Sequence, residues 1–338
     1  MTQHPVTKFD LPVFEEVECG LFADGGLLPL VITPKRAGLA LPEWMNQHQA
    51  RLEALLQTHG GLLFRGFGVE TEQDFDGLVA SVCTQLLTYD EPSSPRTKIG
   101  DKVYTSTEHP NDQAILLHNE MSYSSSWPLK IWFCAVQIAD AGGETPLADV
   151  RRVYQRIPAD VRAKFEEQGW MLVRNFDHAF GLSMEKVFGS TQRDEVEAYC
   201  RRHDMEFEWQ ANGSLRTRQI RKAVQQHPVT GDPLWFNHMA FYHESSLTPD
   251  NREMFREWFG SEGMPFNTFY GDGTPIPDEI VDIVRDAYDQ EKVVFPWQRG
   301  DVAMLDNMLV AHGRSPFQGS RKTLVAMGEA YSVQGGKR

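Results

Sequence analysis

The sequence predicts a mainly β protein with flanking helices, in which one β core is interrupted by a mostly helical insertion. Two β-rich stretches support this prediction, one at about 102–146 and one at about 292–331. The intervening segment at about 146–204 reads mainly as helix. This order differs from the regular strand–helix alternation of a doubly wound sheet. We therefore expect one domain over the whole chain, with its core at about 62–145 and 205–335.

Local patterns predict the first elements. Loops and a short strand at 28–33 precede a helix at 42–58, which ends at two glycines, and a buried strand at 62–66. A second helix begins at Thr71, because its apolar residues recur at i, i+3, i+4 and i+7. Thr71 and Asp74 form an incomplete capping box at its start.

Runs of β-branched and aromatic residues, or strict alternation of apolar and polar residues, predict the later strands. These strands are 103–107, 131–136, 170–173, 205–209, 292–295, 301–305, 308–312 and 323–331. Helices are predicted within 146–169, at 248–259 and at 277–289.

Composition excludes several classes of protein. The 338 residues are 41% hydrophobic and 24% charged, as in an ordinary globular protein. A net charge of −14 argues against binding a nucleic-acid backbone or an anionic membrane, which both attract basic surfaces. The four cysteines are scattered and form no C-x-x-C pair, and the N-terminus lacks a basic segment followed by an apolar one. We expect a cytoplasmic protein without a membrane span.

The chemistry of the chain centres on His118-Asn119-Glu120, which follows an apolar run. In an extended strand the side chains at i and i+2 point to the same face, so His118 and Glu120 would project together. With a second histidine from elsewhere they would form the 2-His-1-carboxylate site of non-heme Fe(II) oxygenases. Composition alone accounts for one such pair, so a structural histidine beside a surface acid stays open at this point.

Further motifs lie downstream and upstream of this pair. They are Thr105-Ser106-Thr107-Glu108, Gly142-Gly143-Glu144-Thr145-Pro146, Phe236-Asn237, Ala311-His312-Gly313-Arg314 and, nine residues after His312, Arg321. With the His-x-Glu pair, they resemble the TauD/TfdA family of Fe(II)/2-oxoglutarate dioxygenases. The similarity is greatest to the branch of clavaminate synthase and the SyrP-type amino-acid hydroxylases, and it runs from about 62 to 331.

The resemblance implies a double-stranded β-helix, or jelly roll, whose paired sheets surround the metal. It assigns His118, Glu120 and His312 as the ligands of Fe(II). It also assigns Thr145 and Arg321 to the far carboxylate of 2-oxoglutarate, with O2 as co-substrate. From the residues alone, Thr145 could instead cap the following helix and Arg321 could be a surface residue.

Two positions distinguish this chain from relatives in the family. Taurine-type members carry a second arginine where this chain has Val325, which argues against a sulfonate substrate held in that way. Halogenating members replace the metal carboxylate by a small residue, whereas Glu120 is present here. Arg314 and Asn237 are candidates to contact the substrate, or are structural, and 306–307 is predicted to shape the turn before His312.

The function implied is hydroxylation of an unactivated C–H bond, at the β-carbon of an amino acid that is free or carried on a biosynthetic protein. Desaturation, cyclisation or oxidation of another small acid with the same cofactors is the alternative enzyme reading. A jelly-roll protein that binds a ligand without turnover is the alternative outside enzymes. The expected partner is a small molecule, and the oligomeric state is not predicted.

Overall fold

The computed structural model describes residues 11–22, 26–88, 98–99, 102–106, 109–176, 181–260 and 263–332. The strands of this part are β1 Val17–Leu21, β2 Leu30–Pro34, β3 Gly61–Phe64, β4 Val103–Thr105, β5 Ile115–His118, β6 Ser126–Gln137, β7 Ala141–Gly142, β8 Leu147–Asp149, β9 Trp170–Phe176, β10 Glu206–Trp209, β11 Leu215–Arg221, β12 Val224–Gln226, β13 Pro233–Trp235, β14 Phe266–Tyr270, β15 Val302–Asp306, β16 Val310–Arg314, β17 Phe317–Gln318 and β18 Lys322–Ser332. The helices are α1 Leu41–Gln47, α2 Gln49–His59, α3 Glu72–Val82, α4 Val150–Arg156, α5 Ala159–Gln168, α6 Met184–Phe188, α7 Arg193–Arg202, α8 Met239–Tyr242, α9 Pro249–Phe259 and α10 Asp278–Glu291, with a 3-10 turn at Glu244–Ser246. Among these described helices, none has the length and apolar character needed to span a bilayer.

Two sheets that pack face to face form the core. The larger sheet has the order β1-β2-β3-β15-β6-β18-β4, and the smaller one has β16 between β5 and β8. The chain crosses from the larger to the smaller sheet and back through β4, β5 and β6, and again through β15, β16 and β18. The ring of Phe133 on the larger sheet lies 5.0 Å from the ring of His312 on the smaller one. This arrangement confirms the predicted jelly roll.

Strict alternation of side chains on β6 explains why the larger sheet has two apolar faces. Ile131 and Phe133 belong to the core between the two sheets, whereas Trp132 and Cys134 belong to a second core on the opposite face. Successive residues of a strand point to opposite faces, so an uninterrupted apolar run covers both. The second core includes residues of α1, α2 and α3.

The helices before β4 differ from the prediction in two details. The single helix expected at 42–58 is divided at His48, whose backbone leaves the helical region with φ −113° and ψ 17°. The capping box of α3 is complete, because Asp74 N donates to Thr71 Oγ1 over 3.1 Å and Thr71 N donates to Asp74 Oδ2 over 3.0 Å. Asp74 therefore completes the capping box at a position where glutamate or glutamine is more common.

The stretch predicted as helix from residue 146 begins with a strand. β8 pairs with β16 at Ala148 and Ala311, and α4 starts only after it. The cap of α4 is Asp149, whose carboxylate accepts a hydrogen bond from Arg151 N over 2.9 Å. Thr145 therefore does not cap this helix. Later in the same stretch, β9 pairs with β11 and β14, so the division into core and insertion stays a prediction.

Candidate active site

The three predicted ligands converge at the open end of the smaller sheet. His312 on β16 is the register partner of His118 on β5. One potential ligand atom from each of His118, Glu120 and His312 lies within 4.8 Å of the others, and His312 Nε2 is 3.9 Å from Glu120 Oε2. Neighbouring strands thus bring together two histidines that are far apart in sequence.

The ring of His118 is oriented by its own strand. Its Nδ1 lies 2.8 Å from the Leu116 carbonyl oxygen, which can only accept, so Nδ1 carries the proton. Nε2 is then the unprotonated nitrogen, an arrangement typical of metal-binding histidines. The ring packs against those of His312 and Phe241, with centroids 4.6 Å and 5.1 Å away.

Glu120 does not lie on the strand that carries His118, so the predicted i, i+2 arrangement on one extended strand is wrong. β5 ends at His118, and Glu120 begins a turn. The next residue, Met121, has a φ of 57°, in the left-handed region that side chains other than glycine rarely adopt. A turn rather than a pleat therefore directs this carboxylate toward the histidines.

The side chain of Asn307 fixes that turn. Its Oδ1 accepts from Glu120 N over 2.7 Å, and its Nδ2 donates to Glu120 O and to Pro128 O, each over 2.9 Å. In return, Asn119 Nδ2 donates to Asn307 O over 2.7 Å. Asn307 is fully buried, where unmade hydrogen bonds are costly. It therefore holds the backbone on both sides of the metal carboxylate.

Beside the three proposed ligands lies a pocket, here called the inner cavity, whose lining includes His118, Thr145, His312, Arg314 and Arg321. Phe133, on the larger sheet, and Val325 provide apolar wall.

Arg321 supplies the positive charge of the inner cavity. Its Nε donates to Gly143 O over 2.8 Å, and its Nη1 lies 3.3 Å from Ser106 Oγ. Burial, with a smaller effect of the Arg314 charge, lowers the pKa of Arg321 to about 10. Gly143 permits this packing, because its φ is +76° and an added Cβ would lie 2.9 Å from Arg321 Cδ.

Thr145 is buried in the same cavity, and its hydroxyl oxygen already accepts one hydrogen bond. Trp297 Nε1 donates to Thr145 Oγ1 over 3.0 Å. An indole N–H can only donate, so the Thr145 hydroxyl accepts this bond and keeps its own proton for another acceptor. The threonine is thus set as a donor beside the Arg321 guanidinium.

The two candidate substrate residues differ in their surroundings. Asn237 does not line the inner cavity. Its Nδ2 donates to Ala223 O, and its Oδ1 accepts from Met239 N at the start of α8. Arg314 lines the inner cavity and donates to backbone carbonyls of the 109–113 loop.

Sequence reasoning missed the residues that support the ligands. Asn307 was predicted only to shape its own turn, although its place between β15 and the His312 strand was a usable signal. Trp297 and Phe241 had no signal, because their contacts to Thr145 and His118 depend on chain segments that only the fold brings together.

Comparison with known proteins identifies the family. Residues 27–327 match the family described as "Taurine catabolism dioxygenase TauD, TfdA family". The chain belongs to this family. Its similarity to the dapdiamide synthesis protein DdaC of Enterobacter agglomerans is 39% identity, over 88% of this dioxygenase and 90% of DdaC. A clavaminate synthase-like protein of Arabidopsis thaliana is 29% identical to this chain, and the match covers 88% of this chain and 93% of the Arabidopsis protein.

Solved structures support the fold of the dioxygenase. PvcB of Pseudomonas aeruginosa aligns with a TM-score of 0.56 and 16% identity, covering 94% of each chain. A further PvcB structure, described as an Fe, alpha-ketoglutarate dependent oxygenase from an isonitrile synthetic pathway, aligns with a TM-score of 0.54 and 17% identity.

The dioxygenase uses Fe(II), 2-oxoglutarate and O2. The residues present fit these groups. Two imidazoles and one carboxylate on one side of a site are the donor set of non-heme Fe(II) oxygenases and leave coordination positions open.

Proposed function

We propose that this dioxygenase hydroxylates an unactivated C–H bond, at the β-carbon, of an amino acid or a derivative of one. The observation that carries the proposal is the complete group of His118, Glu120 and His312 beside a cavity with a buried guanidinium. The similarity to a protein of dapdiamide synthesis supports a role in the biosynthesis of a specialised metabolite. A cytoplasmic location is part of the proposal and agrees with the four free cysteines.

Each residue of the proposed site has a chemical role. His118, Glu120 and His312 hold the iron on one face. Arg321 and Thr145 hold the far carboxylate of 2-oxoglutarate, because a guanidinium and a hydroxyl proton both match carboxylate oxygens. When bound, the metal and 2-oxoglutarate supply an oxidant from O2.

Three further features of the site favour hydroxylation of a substrate that is not a sulfonate. Glu120 fills the position that halogenating relatives leave to chloride, which supports hydroxylation. Val325 is buried and lines the inner cavity, so this position offers a sulfonate no positive charge. Phe133 lies beside His312 and helps to exclude water from the reacting centre.

The proposal is tested by turnover and by product mass. Anaerobic addition of Fe(II) and 2-oxoglutarate should give a visible charge-transfer band, and O2 should then be consumed with release of succinate. Amino acids, free and carrier-bound, are screened by mass spectrometry. A product heavier by one oxygen atom supports hydroxylation, and loss of two hydrogens would show desaturation or cyclisation instead.

The control is His118→Ala, which should abolish both the band and succinate release. Tight ligand binding without O2 consumption in the wild-type protein would contradict the proposal and favour a binding protein.

A further inference from the structure

A second cavity, here called the outer cleft, lies against β5, α8 and α10. Its lining includes Leu117, Phe241, Tyr288, Val294 and Arg314, and its cavity volume is about 290 Å³. Small-molecule sites commonly measure about 300–1,000 Å³. The outer cleft lies at the lower end of this range, which suits a small ligand such as an amino-acid derivative.

The outer cleft adjoins the metal site. Ile115 and Arg314 line both the outer cleft and the inner cavity. Phe241 lines the outer cleft, and its ring lies 5.1 Å from that of the ligand His118. A molecule in the outer cleft would thus contact residues that also surround the three proposed iron ligands.

Arg314 is a buried cation that has no anionic partner among the described residues. It is 6% exposed, and its guanidinium donates to the carbonyl oxygens of His109, Pro110 and Gln113 over 3.0, 2.6 and 2.8 Å. Its Nε is buried without a hydrogen-bond partner, and no carboxylate of the described residues forms an ion pair with it. Carbonyl oxygens solvate the charge but do not neutralise it, and an unpaired buried charge is costly.

Tyr288 is a second buried polar group in the same cleft. It is 7% exposed, and its phenol makes no hydrogen bond with any described residue. Burial raises its pKa, so the hydroxyl stays neutral and can donate. Leu117 and Val294 contribute apolar surface beside it.

The rim of the outer cleft is mainly positive. Arg285 pairs with Asp282 over 3.3 Å and also donates to Ser245 Oγ, Ser246 Oγ and Ala240 O, and Lys292 pairs with Asp289 over 2.5 Å. With the Lys292 charge paired, Arg314 is the buried charge that still lacks a counter-ion within the described part of the cleft.

We propose that the outer cleft binds the substrate, and that the substrate carries a free carboxylate for Arg314 and an apolar body for the surface around Leu117 and Phe241. The identification of the bound molecule as the substrate rests on the proposed function. The claim that the outer cleft binds an apolar carboxylate does not. A carboxylate held by Arg314 cannot also be a thioester, so the amino acid enters as a free acid rather than through that carboxyl on a carrier protein.

The test compares an acid with its amide. N-acetylleucine and N-acetylleucinamide are titrated by calorimetry into the protein loaded with Fe(II) and 2-oxoglutarate without O2. We expect the acid to bind at least about 10-fold more tightly, as for hydrogen bonds to a charged group. Arg314→Gln should remove this preference, and Tyr288→Phe should weaken the binding of both compounds.

Because Arg314 also holds the 109–113 loop, a second variant tests the cleft without it. Val294 is 43% exposed, so Val294→Trp should fill the cleft while the fold is kept, and should abolish binding of the acid. Val229→Trp, at a 65% exposed position outside both cavities, is the matched control and should bind as the wild type does.

The outcomes separate the two proposals. The charge-transfer band of Fe(II) and 2-oxoglutarate should persist in Val294→Trp, Tyr288→Phe and Val229→Trp, and its absence from the wild type would contradict the proposed function alone. Equal binding of acid and amide, binding of neither, or wild-type binding by Val294→Trp would overturn the assignment of the outer cleft.

Discussion

His312 and Glu120 are both proposed ligands of the iron, but different kinds of structure hold them in place. His312 lies within β16, which is hydrogen-bonded to β5 on one side and to β8 on the other. Glu120 lies in a turn after β5 has ended, and the side chain of Asn307 bonds both its N–H and its C=O. A sheet ladder secures the first ligand, whereas one amide side chain secures the second.

This difference has a consequence for mutation. Backbone pairing is shared among many residues, so the position of His312 depends little on any single side chain. The position of Glu120 depends on few groups and includes a residue, Met121, in an uncommon backbone conformation. We expect the turn to be the more sensitive part of the metal site.

Loss of a proposed iron ligand should have the largest effect. The effect should be similar for His312 on β16 and for Glu120 in the turn. His312→Ala and Glu120→Ala each remove a donor, so Fe(II) affinity should fall more than about 100-fold, beyond the range for supporting residues. Metal titration and O2 consumption measure this. Glu206→Ala, at an exposed position of β10, should behave as the wild type. Turnover retained by either ligand variant would show that the ligand assignment is wrong.

Asn307→Ala tests the turn directly. The buried N–H and C=O of Glu120 would lose their partner, so we expect Fe(II) affinity to fall about 10- to 100-fold. The free energy of unfolding should also fall, by about 1–3 kcal/mol for an unsatisfied buried group. Metal titration and denaturant unfolding of the metal-free protein measure the two effects.

The conservative variant Asn307→Asp sharpens this result. Aspartate can accept from Glu120 N but cannot donate to Glu120 O or Pro128 O, so rescue should be partial. A loss of stability with unchanged Fe(II) affinity would mean that Asn307 supports the fold and not the ligand.

A smaller effect on ligand affinity is expected from Trp297, which contacts Thr145 of the proposed 2-oxoglutarate site. Trp297→Phe removes the N–H that orients the Thr145 hydroxyl, so the Kd for 2-oxoglutarate should rise by up to about 10-fold, the value of one neutral hydrogen bond. Titration of the charge-transfer band measures it. Trp258→Phe, at a 56% exposed position, is the control, and an equal change in both variants would argue against this role.

The smallest effect on ligand affinity should come from a change at the N-cap of α3, which lies outside the metal site. Thr71→Ala breaks the capping box of α3, so the free energy of unfolding should fall by about 0.5–2 kcal/mol. Affinities for Fe(II) and 2-oxoglutarate should not change, as measured by the same titrations. A parallel loss of metal affinity would show that the sensitivity of the turn is only a reflection of global stability.

Local patterns predicted the β core and singled out His118 and Glu120, because strand alternation and the His-x-Glu spacing are local. His312 was assigned only through the resemblance to the TauD/TfdA family. Local patterns did not predict that β5 would end at His118, since the turn is fixed by Asn307 from a distant part of the chain. β8 was missed for a related reason. It is short, and it is a strand because β16 pairs with it, not because of its own composition.

The bond from Arg321 Nε to Gly143 O has a further consequence for cofactor choice. It ties the guanidinium to the segment that carries Thr145, so the two proposed 2-oxoglutarate contacts are held together before any ligand arrives. Little ordering is then needed on binding, which favours affinity. If Arg321 binds the far carboxylate of 2-oxoglutarate as proposed, a 2-oxo diacid shorter by one methylene should not reach the guanidinium while it binds the iron. We therefore expect the protein to select its oxoacid by length.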